Sequence, residues 1–113
     1  NHMEVSATDL SSAISRLILF TKNSGDNKVV LASITLKDDE IHIIDSLQNE
    51  EVIAIENDSY IEEGYTFTVN LIDLKLAVDS FKNEHITINC WNHRSVVISC
   101  GTINSLVPEG RRN

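Results

Sequence analysis

Histidine, cysteine and acidic side chains are the residues of this sequence that could do chemistry, and their spacing offers no catalytic set. His42, His85 and His93 stand apart on predicted strands and turns, without the HxxxH or His–Cys spacing of a zinc site. The acidic groups 38–40 and 62–63 are typical of solvated turns. A nucleophile needs a base and an orienting group, and neither can be placed here. We therefore expect no enzyme activity and no cofactor.

Cys90 and Cys100 are the only cysteines, and they lie on strand-like segments without CxxC spacing. Free buried thiols are favoured over the alternative, a disulfide, and they fit a reducing compartment. The sequence has no run of roughly 20 apolar residues that could span a membrane, and it opens without a signal-peptide pattern. We expect a soluble, cytoplasmic protein that does not act at a membrane.

Charge narrows the choice of partners. The 113 residues carry 17 acids and 9 bases, a net charge of −8. Phosphate contacts need clustered Lys and Arg, so the domain as a whole is a poor nonspecific nucleic-acid binder, although a local basic face is not excluded. Residues 1–3 are interpreted as a cloning remnant ending in an initiator Met, and residues 4–113 as a single domain.

A strand turns into a helix at Asn70, and this stretch, Phe67 to Phe81, organises the chain. Asn70 is a good N-cap, and Asp73 falls in the first turn, where a carboxylate meets unpaired N–H groups. The helix is predicted over 71–82. Its buried stripe consists of Leu71, Leu74, Val78 and Phe81.

The first half of the chain shows the same order. A strand over 4–7 is predicted to lead, through a cap at Thr8 or Asp9, into a helix that starts at Leu10. The buried stripe of that helix is Leu10, Ala13, Ile14, Leu17 and Thr21. Three strands follow, over 29–37, 40–45 and 51–55, with a tight turn at Asp38–Asp39 and a polar connection over 57–64.

The second half ends in three strands, predicted over 85–90, 96–100 and 102–107. A five-residue loop after Cys90 places Cys90 opposite Val96, Ile88 opposite Ile98 and Ile86 opposite Cys100, so that one apolar face continues across both strands. A two-residue turn at 92–93 would put Val96 and Ile98 on the other face. The longer loop is favoured.

The order is therefore strand, helix and three strands, twice over. Each helix has a stripe to bury on a sheet. The predicted architecture is an α+β single domain, with two helices packed side by side on a largely antiparallel sheet.

Four segments carry a resemblance to one domain of a DNA sliding clamp, the bacterial polymerase III β-clamp. They are the opening strand and helix, 3–14, the hairpin 31–45, the second strand and helix start, 67–74, and the exit strand 102–112 with its apolar-Pro-acidic-x-Arg-Arg segment. The resemblance implies a noncatalytic processivity factor in DNA replication. Clamp chains have three such domains in series, and their exit segment usually has an aromatic or Met beside the Pro, where this chain has Val107 and Glu109.

A clamp encircles DNA with its helices lining the hole, so positive side chains on the helices are the residues that would contact double-stranded DNA. The candidates are Arg16, Lys22, Lys75 and Lys82. The alternative is that they are ordinary solvated charges. Asp73 and Asp79, on the exposed face of the second helix, would repel the DNA backbone.

Trp91 and Arg94, at a hairpin tip, are candidates for a protein contact, because Trp and Arg are common interface anchors. The alternative is that the indole folds over the sheet edge. Leu106, Val107 and Pro108 are partner-binding candidates through the resemblance. Leu19, Ile72 and Leu76 are either exposed apolar residues or contacts between the helices.

The leading hypothesis is a clamp-like scaffold, DNA-associated or processivity-factor-like, that needs self-assembly into a homo-oligomer or larger partners to close a ring. The alternative is a small acidic binding protein, such as an immunity protein or an inhibitor of a basic nucleic-acid enzyme.

Overall fold

The structure of the chain is a computed structural model that describes residues 1–22, 30–56, 60–81, 85–91, 95–100 and 103–108. The side chains at 21, 22, 91, 95, 103 and 104 are outside the description. The described residues form, in chain order, β1 (His2–Ser6), α1 (Ala7–Lys22), β2 (Leu31–Lys37), β3 (Glu40–Asp45), β4 (Glu50–Ala54), β5 (Tyr65–Asn70), α2 (Leu71–Asp79), β6 (His85–Trp91), β7 (Ser95–Cys100) and β8 (Ile103–Pro108). Neither described helix is long and apolar enough to cross a lipid bilayer.

The strands form two antiparallel sheets of four, in the orders β1-β6-β7-β8 and β4-β3-β2-β5. Each half of the chain builds a meander of three strands and gives its first strand to the meander of the other half. This exchange ties the halves into one domain, and it confirms the α+β fold with two helices on antiparallel strands. The described strands thus form two sheets rather than one, and each sheet contains one strand from the other half of the chain.

The repeat is exact around the two strand-to-helix turns. Residues 3–17 align with 67–81 without a gap, and the identical pairs are Val5 and Val69, Asp9 and Asp73, Leu10 and Leu74, and Ala13 and Ala77. Asn70 caps α2 as predicted, since its side chain accepts a 3.1 Å hydrogen bond from the Ile72 N–H. The corresponding residue of the first half is Ser6, whose Oγ accepts a 3.2 Å bond from the Asp9 N–H.

The predicted start of α1 was wrong. The helix begins at Ala7, with Ser6 in the capping position that had been assigned to Thr8 or Asp9. Pairing with β6 keeps the backbone extended only as far as Ser6, and the helix starts at once beyond it.

Several further boundaries differ from the prediction, including those of β4, which covers Glu50–Ala54 rather than 51–55, and of β8, which covers Ile103–Pro108 rather than 102–107. β1 begins at His2 rather than Glu4, because His2 exchanges two 2.7 Å backbone hydrogen bonds with Tyr60 and pairs with Asn89. It ends at Ser6 rather than Ala7. α2 ends at Asp79, before the predicted position 82, although Phe81 is still buried. The assignment of residues 1–3 to a cloning remnant stays a prediction.

One hydrophobic core fills the space between the sheets and helices. Both predicted helical stripes are buried where their side chains are described, and Ala77 joins them. The hairpin register is confirmed for Cys90 opposite Val96 and Ile88 opposite Ile98. Both cysteines are free thiols, with Cys90 buried and Cys100 half-buried. The core thus fixes the helices and leaves their outer faces to solvent.

The tight turn at Asp38–Asp39 is also confirmed. Both residues have positive φ, 54° and 56°, as the two central residues of a type I′ hairpin turn require. The turn closes β2 onto β3 with Lys37 opposite Glu40.

Candidate interaction surface on the two helices

The helices lie side by side and run antiparallel, which the contacts between them show. Ser11, near the start of α1, donates a 2.6 Å hydrogen bond to Asp79 Oδ1 at the end of α2. Further along, Ile18 of α1 and Ile72 of α2 line the same groove. This groove, which we call the helix groove, has a volume of about 490 Å³ and is lined by Ser15, Ile18, Leu19, Ile72, Lys75, Leu76 and Asp79.

Apolar side chains dominate the helix groove. Leu19 is 62% exposed and Leu76 is 68% exposed, one on each helix. Ile18 and Ile72 are half-buried and pack against the core. The two alternatives left open by the sequence are therefore both realised, since Ile72 packs inward while Leu19 and Leu76 face solvent. Sequence reasoning missed Ile18.

The charged side chains at one end of the helix groove form hydrogen bonds within the protein. Asp79 accepts hydrogen bonds from Lys75, one turn earlier on α2, and from Ser11. These two bonds, that from Lys75 first, lower the pKa of the Asp79 carboxyl below its ordinary value. Asp79 is therefore anionic at neutral pH, and the Lys75 ammonium is already paired.

Arg16 is paired as well. Its guanidinium donates a 2.7 Å hydrogen bond to Glu51 Oε1 on β4. This bond raises the pKa of Arg16, with a smaller contribution from the charge of Asp9. The two DNA-facing candidates with described side chains, Arg16 and Lys75, are thus each bound to a carboxylate. The side chain of Lys22 and the whole of Lys82 lie outside the described residues.

The described charges give this face an excess of acid. Asp9 and Asp73 are exposed in the first turns of the two helices, and neither carboxylate has a side-chain hydrogen bond among the described residues. With Asp79 and Glu51, four carboxylates stand against two cations. A phosphate backbone would therefore meet repulsion here.

A second groove, the edge groove, lies between α2 and β8. Its volume is about 430 Å³, and its lining consists of Asp73, Leu76, Ala77, Ser80, Ser105, Leu106, Val107 and Pro108. The three partner-binding candidates from the exit strand are therefore brought together with α2. Leu106 and Pro108 are exposed, whereas Val107 is buried in the core.

The internal repeat explains why the edge groove is open. Ser80 occupies the position of Arg16, and Ser105, two residues before buried Val107, occupies the position of Glu51, two residues before buried Ile53. The ion pair that bridges α1 to β4 is thus replaced by two short side chains between α2 and β8. Aligning the halves of the sequence could have identified Ser80 and Ser105.

The placement of the remaining partner-binding candidates, Trp91 and Arg94, lies largely outside the described residues. Trp91 ends β6 with its backbone paired to Ser95, and its side chain is outside the description, as is the whole of Arg94. His42 lies 3.3 Å from both Glu40 and Glu50 on the sheet surface. In the described part of the chain no three His, Cys, Asp or Glu side chains are grouped to hold a metal ion.

No family profile matches the sequence, and no curated protein matches it at a significant level. Solved structures do match. The Helicobacter pylori β clamp bound to a DNA ligase peptide has a TM-score of 0.76 at 15% identity, covering 98% of this chain and 30% of the clamp. DNA polymerase III subunit β from Borrelia burgdorferi has a TM-score of 0.72 at 15% identity, covering 99% of this chain and 30% of that subunit. Caulobacter crescentus pol III β has a TM-score of 0.78 at 8% identity, covering 98% of this chain and 30% of that protein.

These identities are too low to carry function, so the likeness concerns the fold. The chain spans about 30% of the length of each of these clamps. Two strand-helix-three-strand repeats, the exchange of first strands between two sheets and the antiparallel helix pair together are the fold of a bacterial β-sliding-clamp domain.

Proposed function

We propose that the protein is a noncatalytic clamp-like scaffold that acts by joining copies of its domain, or larger clamp-like partners, edge to edge. The observation that carries this proposal is strand pairing. The two described sheets have four edge strands, β1, β4, β5 and β8, of which β4 pairs only with β3 and β8 only with β7. An edge strand leaves a row of backbone N–H and C=O groups for another chain. We select β4 and β8 because α1 contacts β4 and α2 contacts β8, so these two edges flank the helix pair.

The likeness of the fold to that of bacterial β-clamp domains supports this proposal. We propose that the protein acts as a processivity-factor-like scaffold in DNA replication. The free thiols of Cys90 and Cys100 are in keeping with a cytoplasmic location.

A protein partner is part of the proposal. One neighbour binds a DNA ligase peptide. In this chain Leu106, Val107 and Pro108 line the edge groove, which is open to such a segment. Trp91 and Arg94 stay proposed as additional contacts.

Association with double-stranded DNA is weakened in this proposal. Arg16 and Lys75 are neutralised by Glu51 and Asp79, so the described helix face has no cation to spare for phosphate. Lys22 and Lys82 stay as candidates for any residual contact.

The second candidate function is a small acidic binding protein, an immunity protein or an inhibitor of a basic nucleic-acid enzyme. The same excess of carboxylates on the helix face favours it, together with the net charge of −8. In this case the clamp-like fold is a rigid support for an acidic surface.

Disulfide trapping tests the edge-to-edge arrangement. Val52 and Leu106 are exposed at corresponding positions of β4 and β8. Under mild oxidation the double variant V52C/L106C should form a ladder of multimers, whereas V52C and L106C alone should stay monomeric, because each cysteine then faces no cysteine across the contact. No ladder in the double variant, or as much cross-linking in either single variant, would contradict joining of β4 to β8.

A further inference from the structure

We infer that the helix groove is a docking site for a basic amphipathic helix of another protein. The inference deepens the second candidate function, on which it rests, by naming the surface and the chemistry of its partner. It does not depend on self-assembly.

The helix groove has the shape and the apolar lining to hold a helix. The helices α1 and α2 form the two walls of the groove, and each wall carries one exposed leucine, Leu19 or Leu76. The half-buried side chains of Ile18 and Ile72 form the floor. A helix laid in such a groove buries apolar residues spaced i, i+3 or i+4, and i+7. α2 has nine residues, so it offers a wall about 14 Å long at 1.5 Å per residue. This length matches about two and a half turns of a partner helix at 5.4 Å per turn.

The charged side chains on the two helices favour a basic ligand. Asp73 lies one turn before Leu76 and lines the edge groove beside it, and Asp9 is exposed in the first turn of α1. Neither carboxylate has a side-chain hydrogen bond within the described ranges. The described cations Arg16 and Lys75 are paired with Glu51 and Asp79. Lysine and arginine flanking the apolar stripe of a ligand helix would therefore find complementary charge, and acidic residues would be repelled.

The helix groove is less suited to duplex DNA than to a basic helix. Recognition of a phosphate backbone requires free cations, and both described cations are bound to carboxylates. An apolar floor offers a nucleic acid no partner, whereas it suits leucine and phenylalanine. An apolar groove with additional carboxylates on its helices thus fits a cationic amphipathic helix and disfavours a duplex.

The test uses three synthetic peptides with the same leucine stripe at i, i+3 and i+7, whose other positions are lysine, glutamate or serine. The lysine peptide should bind with the highest affinity, and its affinity should fall with added salt. L19S and L76S should each weaken binding about tenfold, as expected for central apolar anchors. L76S places at residue 76 the serine that the first repeat has at residue 12, so the fold should tolerate it.

L47S is the matched control, because Leu47 is also an exposed leucine, in the β3–β4 turn away from the helix groove. It should bind the lysine peptide as the unchanged protein does. Equal affinity for the lysine and glutamate peptides, or equal losses in L76S and L47S, would overturn the groove assignment while leaving an acidic binder elsewhere on the protein. No binding of the lysine peptide at all would overturn both. Sedimentation at the same concentrations identifies self-association, and competition by a second copy for the groove would also count against the inference.

Discussion

Arg16 on α1 donates a 2.7 Å hydrogen bond to Glu51 on β4, and the second repeat replaces this ion pair with Ser80 and Ser105. One flank of the domain is therefore bridged by long charged side chains, while the other is open as the edge groove. A chain with two unlike flanks is suited to heterologous, head-to-tail contact rather than a two-fold one, because the surfaces that meet are different.

The edge groove can be closed by copying the first repeat. S80R/S105E should place an ion pair between α2 and β8, fill the groove and reduce self-association. S80A/S105A leaves the groove open and should associate as the unchanged chain does. The sedimentation coefficients of both variants, measured over a range of concentrations, check this. If both associate to the same extent, the edge groove is not part of the contact.

Duplex DNA should bind poorly, since Arg16 and Lys75 are paired and Asp73 and Asp79 are exposed on the same face. We expect no saturable binding of the chain to a short duplex at physiological salt by fluorescence anisotropy. R16A/K75A should give the same result as the unchanged protein. Saturable binding would contradict the weakened DNA role. If the logarithm of its association constant fell steeply with the logarithm of the salt concentration, several phosphates would be contacted.

Asp79 should make stability depend on acid pH. Its pKa is lowered in the folded chain by hydrogen bonds from Lys75 and Ser11. Its contribution to the free energy of unfolding is therefore complete above the pKa of the unfolded chain and is lost as the pH falls through the folded pKa. Urea unfolding at a series of acidic pH values should show a shallower decline for D79N than for the unchanged chain. Parallel curves would rule out this role.

The Ser11 contribution can be measured separately. In S11A the Asp79 carboxyl loses one of its two donors, so its pKa should rise towards the ordinary value. Titration of the carboxyl carbon by NMR gives this pKa directly.

Asn70 should matter more to stability than Ser6, although they occupy the same place in the repeat. Asn70 Oδ1 accepts hydrogen bonds from the N–H groups of both Ile72 and Val30, each 3.1 Å long. Ser6 Oγ accepts one, from Asp9. N70A should lower the free energy of unfolding by about 2 kcal/mol, and S6A by about 1 kcal/mol. Chemical denaturation of both variants checks the order, and an equal loss would mean that the Val30 bond contributes nothing.

Local signals were predictable from the sequence. Asn70 and Asp73 form a cap within four residues, and the pairing of Cys90 with Val96 follows from the apolar alternation of two neighbouring strands. The N-cap of α1 was not predictable, because Thr8 and Asp9 belong to residue types that are as favourable at an N-cap as Ser6. The choice depends on where pairing of β1 with the distant strand β6 ends.

Contacts between distant segments account for the rest. The Arg16–Glu51 pair joins residues 35 positions apart, and Ser11 meets Asp79 across the helix pair, 68 positions away. Neither is marked by a local pattern. The edge groove exists because two side chains are short, a feature that appears only when the halves are aligned on the fold.

The mass of the chain in solution, measured by sedimentation equilibrium from micromolar to millimolar concentration, tests the central claim most directly. The account predicts a mass that rises with concentration above the 12.6 kDa of one chain, because the β4 and β8 edges join. A mass of one chain at every concentration would contradict self-assembly through these edges and would favour the acidic binding protein.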